Sequence, residues 1–171
     1  IGAVTPLAQP GNPKPRLFRL KEDEAIINRF GFNNDGMLAV AKRLSKRPSN
    51  GIIGLNLGAN KTSADRIGDF ANVFKTCCEF VDFATVNVSS PNTENLRSFH
   101  DQKKLDDLLK LIEKEKRDLN SKTPIAVKVS PDINDREIIK ISEVLLNNKI
   151  EAAIISNTSD TTRENLQNTQ S

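Results

Sequence analysis

Four polar side chains stand near the ends of apolar segments, each about one strand-and-helix unit after the last: Asn56, Asn87, Lys128 and Asn157. An amide is both a hydrogen-bond donor and an acceptor, so the asparagines suit a planar ligand rich in N–H and C=O groups. A lysine on the same rim suits an electron-accepting ring that becomes negative on reduction. Asparagine at a strand end is also a common turn residue, but four such residues in phase favour a ligand-binding rim.

The densest group of hydrogen-bonding side chains follows the apolar stretch 83–88 and includes Ser90. Pro91 ends regular strand pairing there, because proline has no N–H to donate. Ser90 can act as a base only if its loop and a ligand help to activate it. The alternative is a hydroxyl that caps the turn before Pro91.

Other kinds of catalytic site find little support in the sequence. The one histidine, His100, has no third member for a Ser-His-Asp triad and no partner at metal-ligand spacing. We therefore expect a surface or loop histidine and no metal site. The chain also lacks a Walker-type loop and a G-x-G-x-x-G motif.

The strands and helices that must position these polar residues alternate regularly along the sequence. Apolar runs at 51–57, 83–88, 125–129 and 152–156 predict four strands. Three amphipathic helices between them are indicated by the stripes Ile67, Phe70, Phe74, Cys77; Leu105, Leu108, Leu109, Ile112; and Ile138, Ile141, Leu145. Residues 51–158 thus form repeated βα units of a parallel α/β sheet, in which ligands bind at the carboxyl ends of the strands.

Helix starts are marked by capping residues. Thr62 or Ser63 is expected to cap the first of these helices. Asn134, with Glu137 three residues later, predicts a capping box at the third.

The first third of the chain is less regular. Residues 1–20 form a Pro-rich extended segment with a short strand at 16–20. This segment is either a linker or folds onto the domain, and the apolar residues Leu17, Phe18 and Leu20 favour folding. A short helix is predicted over 22–30, because the acidic residues 22–24 would lie in its first turn. Residues 37–44 are predicted to form a helix that packs along Leu38, Ala41 and Leu44.

The length and composition limit the classes of protein to which this chain can belong. The 171 residues suffice for a single domain with a sizeable core. The net charge of +3 is spread along the chain without a basic, aromatic stripe, which argues against nucleic-acid binding. No apolar run is long enough to span a bilayer, and no signal-peptide pattern is present. A start at Ile1 suggests a fragment or a processed product.

Two further features concern single segments. The adjacent Cys77 and Cys78 are expected to be reduced thiols in a helix, because a disulfide between neighbours would be strained. That fits a reducing compartment. Residues 159–171 form a polar tail without a core-facing pattern.

Residues 87–93, Asn-Val-Ser-Ser-Pro-Asn-Thr, closely resemble the signature loop of dihydroorotate dehydrogenases. The likeness extends to the quinone-reducing, membrane-linked class of that family. Segments of that class are matched, in order along the chain, by residues 11–20, 27–33, 56–61, 126–132 and 156–158. The likeness covers essentially all 171 residues.

The resemblance implies a partial (β/α)8 barrel, about strands 2 to 6 of 8, that binds FMN. Its members oxidise dihydroorotate to orotate in the fourth step of pyrimidine biosynthesis, here with a quinone as acceptor. Ser90 would be the catalytic base that takes the C5 proton while the C6 hydride passes to the flavin. Serine fits the quinone-linked class, because the soluble relatives use cysteine. Lys128 would lie against the flavin ring and stabilise its reduced anion.

The resemblance also assigns binding residues. FMN would be contacted by Gly2, Ala3, Asn56, Asn87, Lys128 and Ser156, the last of which is often threonine in relatives. The pyrimidine would be held by Asn28, Arg29, Phe30, Gly31, Phe32, Asn87, Asn92, Asn157 and Thr158. The turn 28–32 would close over it, and residues 93–103 would form the active-site lid.

Parts of the family pattern fall outside this stretch. The first, seventh and eighth strands and the amino-terminal helices that receive the quinone are not in it, so membrane association would come only through the missing segment. A eukaryotic source would imply the mitochondrial inner membrane. A five-strand slice exposes two sheet edges, so we expect the isolated chain to bind FMN weakly or not at all and to be inactive.

Two other interpretations stay open. One is a relative that acts on a different pyrimidine, which a cysteine at position 90 would have favoured. The other is an inactive truncated fragment, a binding or interaction module that pairs its open edges with another chain.

Overall fold

The computed structural model describes residues 1–48, 50–89, 101–159, 163–164 and 166–167. Its seven strands, numbered in chain order, form two sheets within these residues. The parallel sheet has the order β1-β4-β5-β6-β7 and consists of Gly2–Val4, Gly54–Leu57, Phe83–Asn87, Ile125–Lys128 and Ala152–Ile154. The antiparallel pair is β2, Leu17–Leu20, with β3, Ala25–Asn28.

Four helices connect and cover the parallel strands. They are α1 Met37–Leu44, α2 Arg66–Cys77, α3 Gln102–Asp118 and α4 Asp135–Asn147. Helices α2, α3 and α4 each join one parallel strand to the next, so strands adjacent in the chain are adjacent in space. This is the order of a (β/α)8 barrel wall, and it confirms the predicted βα rhythm and fold class.

The core lies between the sheet and its helices. Leu55, Val86 and Val127 on the strands are fully buried, as are Phe70 on α2 and Leu108 on α3. Both faces of β5 are covered, and four of its five residues are buried. That explains why this strand appears in the sequence as a continuous apolar run without polar alternation.

The amino-terminal segment is an integral part of the domain. Strand β1 pairs in parallel with β4, with Gly2 opposite Asn56, and Leu20 is almost completely buried. The prediction that this segment folds onto the domain is therefore confirmed, as is the strand predicted near 16–20.

The prediction of a helix over residues 22–30 is wrong. Residues 25–28 form β3 and pair with β2, with Leu20 opposite Ala25 and Leu17 opposite Asn28. The acidic residues that suggested a helix start instead form the hairpin turn, where Glu24 has a φ of 48°. The β-branched Ile26 and Ile27 that follow then suit a strand.

Several local predictions also need correction. Asp65, not Thr62 or Ser63, caps α2 by accepting a hydrogen bond from the Gly68 N–H at 2.9 Å. Residues 51–53 precede strand β4 instead of belonging to it. Two residues predicted on buried helix faces are exposed instead: Leu38 of α1 is 71% exposed and Ile138 of α4 is 46% exposed. Leu44 and Ile141, from the same predicted faces, are buried as expected.

Two other expectations are confirmed. Asn134 and Glu137 form the predicted capping box, with both bonds at 3.0 Å. Cys77 and Cys78 are free, buried thiols, and burial raises the pKa of Cys77 to about 11. No helix in the described part of the chain is long and apolar enough to cross a membrane.

An ion pair joins the segment before β4 to the segment before β5. Arg47, after α1, donates to both carboxylate oxygens of Asp82 at 2.8 and 3.1 Å, and the Ile53 N–H donates at 2.7 Å. These bonds lower the pKa of Asp82 from 3.8 to about 2. The stabilising contribution of the carboxylate is therefore present above pH 4 and is lost as the pH falls toward 2.

We expect Asp82→Asn to remove that part of the acid sensitivity. Between pH 5 and about pH 2.5, the free energy of unfolding from urea denaturation should fall less in this variant than in the wild type. Asp107→Asn, which changes an exposed carboxylate on α3, is the matched control and should keep the wild-type slope. Equal slopes for Asp82→Asn and the wild type would contradict the prediction.

Candidate active site

A cavity of about 380 Å³ opens at the carboxyl ends of the parallel strands. It is lined by Gly2, Ala3, Asn28, Phe30, Gly31, Phe32, Asn33, Asn56, Asn87, Lys128, Asn157 and Thr158. The strand register explains this convergence, because Gly2 pairs with Asn56 and Asn87 pairs with Lys128. Side chains far apart in the sequence thus meet at one edge of the sheet.

A larger groove, of about 1220 Å³, lies on the outer surface between α3 and α4. Its lining is a mixture of lysines and carboxylates, among them Lys103, Lys140, Asp106 and Glu137. It lies away from the carboxyl ends of the strands, where ligands of parallel α/β folds bind. We therefore place the candidate site in the smaller cavity.

Among the side chains of the cavity, those of Asn56 and Lys128 each carry a polar group that lacks a protein partner among the described residues. The Asn56 Oδ1 atom is buried without a hydrogen-bond donor. The partly buried Lys128 ammonium takes part in no hydrogen bond or ion pair with the described part of the chain. Buried polar groups are normally paired, so this site is suited to a ligand that brings a donor and negative charge.

Ser89 connects two of the rim asparagines. Its hydroxyl donates to Asn87 Oδ1 at 2.7 Å, and Asn157 Nδ2 donates to the same hydroxyl and to the Ser89 carbonyl, each at 3.1 Å. The Ser89 N–H also donates to Asn87 Oδ1 at 3.2 Å. This fully buried residue therefore fixes the Asn87 and Asn157 amides relative to each other.

The turn after β3 is held through its carbonyl groups. Asn12 donates from its side chain to the Arg29 carbonyl at 2.8 Å and from its backbone to the Phe30 carbonyl at 3.0 Å. Gln9 Nε2 donates to the carbonyls of both Gly31 and Phe32 at 3.1 Å. Four consecutive carbonyls are thus bound by the Pro-rich segment. No hydrogen bond within the described chain uses the N–H of Gly31 or Phe32.

This turn has an unusual backbone. Gly31 has a φ of 69° and Phe32 a φ of 55°, both left-handed. For a phenylalanine this conformation costs about 1 to 3 kcal/mol and persists only where the surroundings enforce it. The Phe32 ring packs on Gly58, where an added Cβ would lie 3.2 Å from it.

The model of the family described as dihydroorotate dehydrogenase matches residues 1–171. The chain belongs to this family. Over 159 residues it is 49% identical to a dihydroorotate dehydrogenase (quinone) of Cereibacter sphaeroides, with 92% of this chain and 45% of that protein covered. The corresponding Mesorhizobium japonicum protein is 45% identical, with 92% and 44% covered. The chain thus spans less than half of these relatives' length.

Solved structures agree with the family assignment. DHODH from Eimeria tenella in complex with ferulenol superposes with a TM-score of 0.89 at 30% identity, covering 99% of this chain and 52% of that one. The ligand-free Eimeria enzyme gives a TM-score of 0.90 at 31% identity, covering 98% and 54%. The predicted resemblance and the partial-barrel fold are confirmed.

Most residues expected to bind ligands in a dihydroorotate dehydrogenase do line the cavity. Two do not: the Arg29 guanidinium donates twice to the Pro15 carbonyl, at 3.1 and 2.9 Å, and the Ser156 hydroxyl donates to the Asn157 carbonyl at 3.2 Å. Ser90, Asn92 and the lid segment up to residue 100 lie outside the described residues. Their roles stay predictions. The predicted end of the lid at residue 103 is wrong, because Asp101 caps α3 and residues 102–103 belong to that helix.

Some residues of the site escaped sequence reasoning. Asn33 lines the cavity, but its neighbours had suggested only a turn. Gln9 and Asn12 belong to the Pro-rich segment, whose composition indicates extended chain and nothing about hydrogen bonding. Ser89 was considered only as part of a polar loop. The sequence did carry one indication that Ser89 belongs to the site, because this residue directly follows the apolar stretch 83–88.

We expect Ser89→Ala to lower the free energy of unfolding by about 1 to 3 kcal/mol, because it removes the hydroxyl shared by the amides of the buried Asn87 and the partly buried Asn157. Urea denaturation followed by circular dichroism measures this change. Ser142→Ala is the matched control, since its hydroxyl donates at 2.8 Å on an exposed face of α4. Similar losses for the two variants would contradict the structural role of Ser89.

Proposed function

We propose that this chain forms the flavin- and pyrimidine-binding part of an FMN-dependent dihydroorotate dehydrogenase that oxidises dihydroorotate to orotate with a quinone. The observation that carries the proposal is the convergence of Asn28, Asn87, Lys128 and Asn157 on one cavity, together with the unpaired Oδ1 atom of Asn56. These side chains belong to separate strands and loops of a chain that is a member of this family.

The unpaired groups of the cavity fit FMN. When bound, FMN supplies the acceptor for a hydride. The Asn56 Oδ1 atom would accept from an N–H of the ring, and the Lys128 ammonium would balance negative charge that develops on it. Gly2, Ala3, Asn87 and Ser156 would complete the contacts that this chain offers to the flavin.

The pyrimidine would be held by amides, because its ring alternates N–H and C=O groups. Asn28, Asn87 and Asn157 would provide amides from the cavity, Thr158 would add a hydroxyl, and Asn92 would provide a further amide. The turn would contribute the unused N–H groups of Gly31 and Phe32, which suit the substrate carboxylate.

Ser90 would take the C5 proton of dihydroorotate as general base. Its chain neighbour Ser89 is fixed between Asn87 and Asn157, which line the cavity, and this supports assigning the base to this site. The segment from residue 93 to Asp101, the N-cap of α3, would close over the substrate and exclude water. The quinone site and any membrane association belong to the rest of the protein, at the mitochondrial inner membrane if the source is eukaryotic.

The first experiment is a visible absorption spectrum of the purified chain after FMN is added and the excess removed. We expect little retained flavin, because the described sheet has unpaired edges at β1 and β7. Retained flavin that dihydroorotate bleaches would show a working site in the chain alone. Concentration-dependent association without flavin would favour the interaction-module alternative.

A graft tests the function in a complete barrel. The matching 159 residues of the Cereibacter enzyme are replaced by those of this chain, and the product is called the graft enzyme. We expect it to purify with FMN, and anaerobic dihydroorotate should reduce that flavin. A folded graft enzyme that binds FMN but is not reduced would contradict the proposed function.

Lys128→Met in the graft enzyme should slow flavin reduction by roughly 100- to 1000-fold, the effect of removing one preorganised electrostatic group. Stopped-flow absorbance at saturating dihydroorotate measures this rate. Lys140→Met, on the exposed side of α4, is the control with the same change of charge and shape. Equal rates for the two variants would rule out the role proposed for Lys128.

Ser90→Ala in the graft enzyme should reduce the same rate about 100- to 10,000-fold, as expected when a general base is lost. Flavin content should stay unchanged, because the hydroxyl is assigned to proton transfer and not to cofactor binding. Ser89→Ala is not a suitable control here, since Ser89 supports the site. Ser142→Ala is used instead and should leave the rate unaltered.

A further inference from the structure

The Gln9 side-chain amide uses its full hydrogen-bonding capacity to join two loops. Its Nε2 donates to the carbonyls of Gly31 and Phe32, both at 3.1 Å. Its Oε1 accepts from Asn60 Nδ2 at 2.9 Å and from the Lys61 N–H at 3.1 Å. One amide thus connects the turn that lines the cavity with the loop after β4.

The Gln9 amide is itself held in a fixed orientation. Its backbone pairs with Asn34, N–H to carbonyl in both directions, at 3.0 and 3.1 Å. The buried Asn60 is anchored by bonds to the Thr5 hydroxyl at 3.1 Å and the Leu7 carbonyl at 2.9 Å. Because Oε1 must face two donors, Nε2 can only point at the turn.

The turn requires such a partner. Phe32 is a non-glycine residue in the left-handed region, a conformation that persists only where neighbouring groups enforce it. Gly31 and Phe32 both line the cavity, whereas Gln9 does not. Any influence of Gln9 on a bound ligand therefore has to act through the turn.

We propose that Gln9 is a positioning residue that keeps the turn 29–33 in the conformation that binds the pyrimidine. The proposal rests on the function proposed above. It assigns a role to the Pro-rich segment, which delivers Gln9 to the turn. It also separates substrate affinity from flavin binding, because Gln9 does not line the cavity and holds only the turn.

The expected change in KM follows from the fraction of molecules that hold the turn in its binding conformation. If only a fraction of the molecules hold the turn correctly, the apparent dissociation constant rises by the inverse of that fraction, and the bound state is unchanged. Loss of the two donated bonds should therefore raise KM for dihydroorotate about tenfold. The value of kcat and the flavin content should stay within about twofold.

Gln9→Glu isolates the donor side of the amide. The glutamate oxygens still accept from Asn60 and Lys61, but the NH2 group that holds the two carbonyls is replaced by an oxygen that repels them. Gln9→Met lacks the added charge and tests whether that charge causes the effect. Gln102→Glu and Gln102→Met, at an exposed position on α3, are the matched controls.

The four variants are compared in the graft enzyme by steady-state kinetics and by flavin absorbance. A raised KM with unchanged kcat and flavin content in both Gln9 variants, but in neither control, supports the proposal. Unchanged KM in the Gln9 variants overturns it. So does a loss of kcat or flavin in step with KM, which would indicate a general structural role. A parent graft enzyme that dihydroorotate cannot reduce contradicts the proposed function instead.

A second measurement on the 171-residue chain does not depend on catalysis. The Phe32 ring lies against Gly58, so the Gly58 α-protons should show ring-current shifts in the NMR spectrum. We expect Gln9→Glu and Gln9→Met to reduce these shifts, while the Gln102 variants leave them unchanged. Shifts that persist in both Gln9 variants would show that the turn keeps its conformation without the amide, which overturns the proposal.

Discussion

Parallel pairing of neighbouring strands is the constraint on which the rest of this structure depends. Because every strand of the main sheet runs the same way, all its carboxyl ends lie at one edge. The register places Asn87 beside Lys128 and Gly2 beside Asn56. A slip of one residue would turn these side chains toward the opposite face, so the helices that fix the register also fix the site.

The amino-terminal third adds what the sheet cannot supply. A parallel sheet delivers side chains to its rim, but a cavity also needs a cover. Here the cover is the turn after β3, and its carbonyls are held by Gln9 and Asn12. Arg16 supports the same region, since its guanidinium lies 5.6 Å from the centre of the Phe30 ring and donates to the Pro10 carbonyl.

The polar groups around the cavity fall into two kinds. Those that support the site are saturated, as in the Asn87–Ser89–Asn157 connection, and they are rigid for that reason. Those expected to meet a ligand, Asn56 Oδ1 and the Lys128 ammonium, have no partner in the described chain. The division lies between atoms and not between residues, because Asn87 and Asn157, which Ser89 holds, are also proposed to bind a ligand.

The sequence by itself determined the parallel α/β architecture and the identity of most rim residues. Continuous apolar runs and helical stripes are local properties, so the βα rhythm from residue 51 onward could be predicted, as could the Asn134 capping box. Likeness to a family added the turn residues Asn28 and Phe32, which no periodicity indicates.

Only the tertiary structure decided the remaining features. Residues 25–28 became a strand because β2 was available as a partner, although their acidic lead-in favours a helix. The exposure of Leu38 depends on which side of α1 packs against the rest of the domain. The link from Gln9 to Gly31 joins groups 22 residues apart, and hydrogen bonds of this kind leave no periodic trace in a sequence. Local patterns specify elements, whereas contacts between distant segments specify how the site is held.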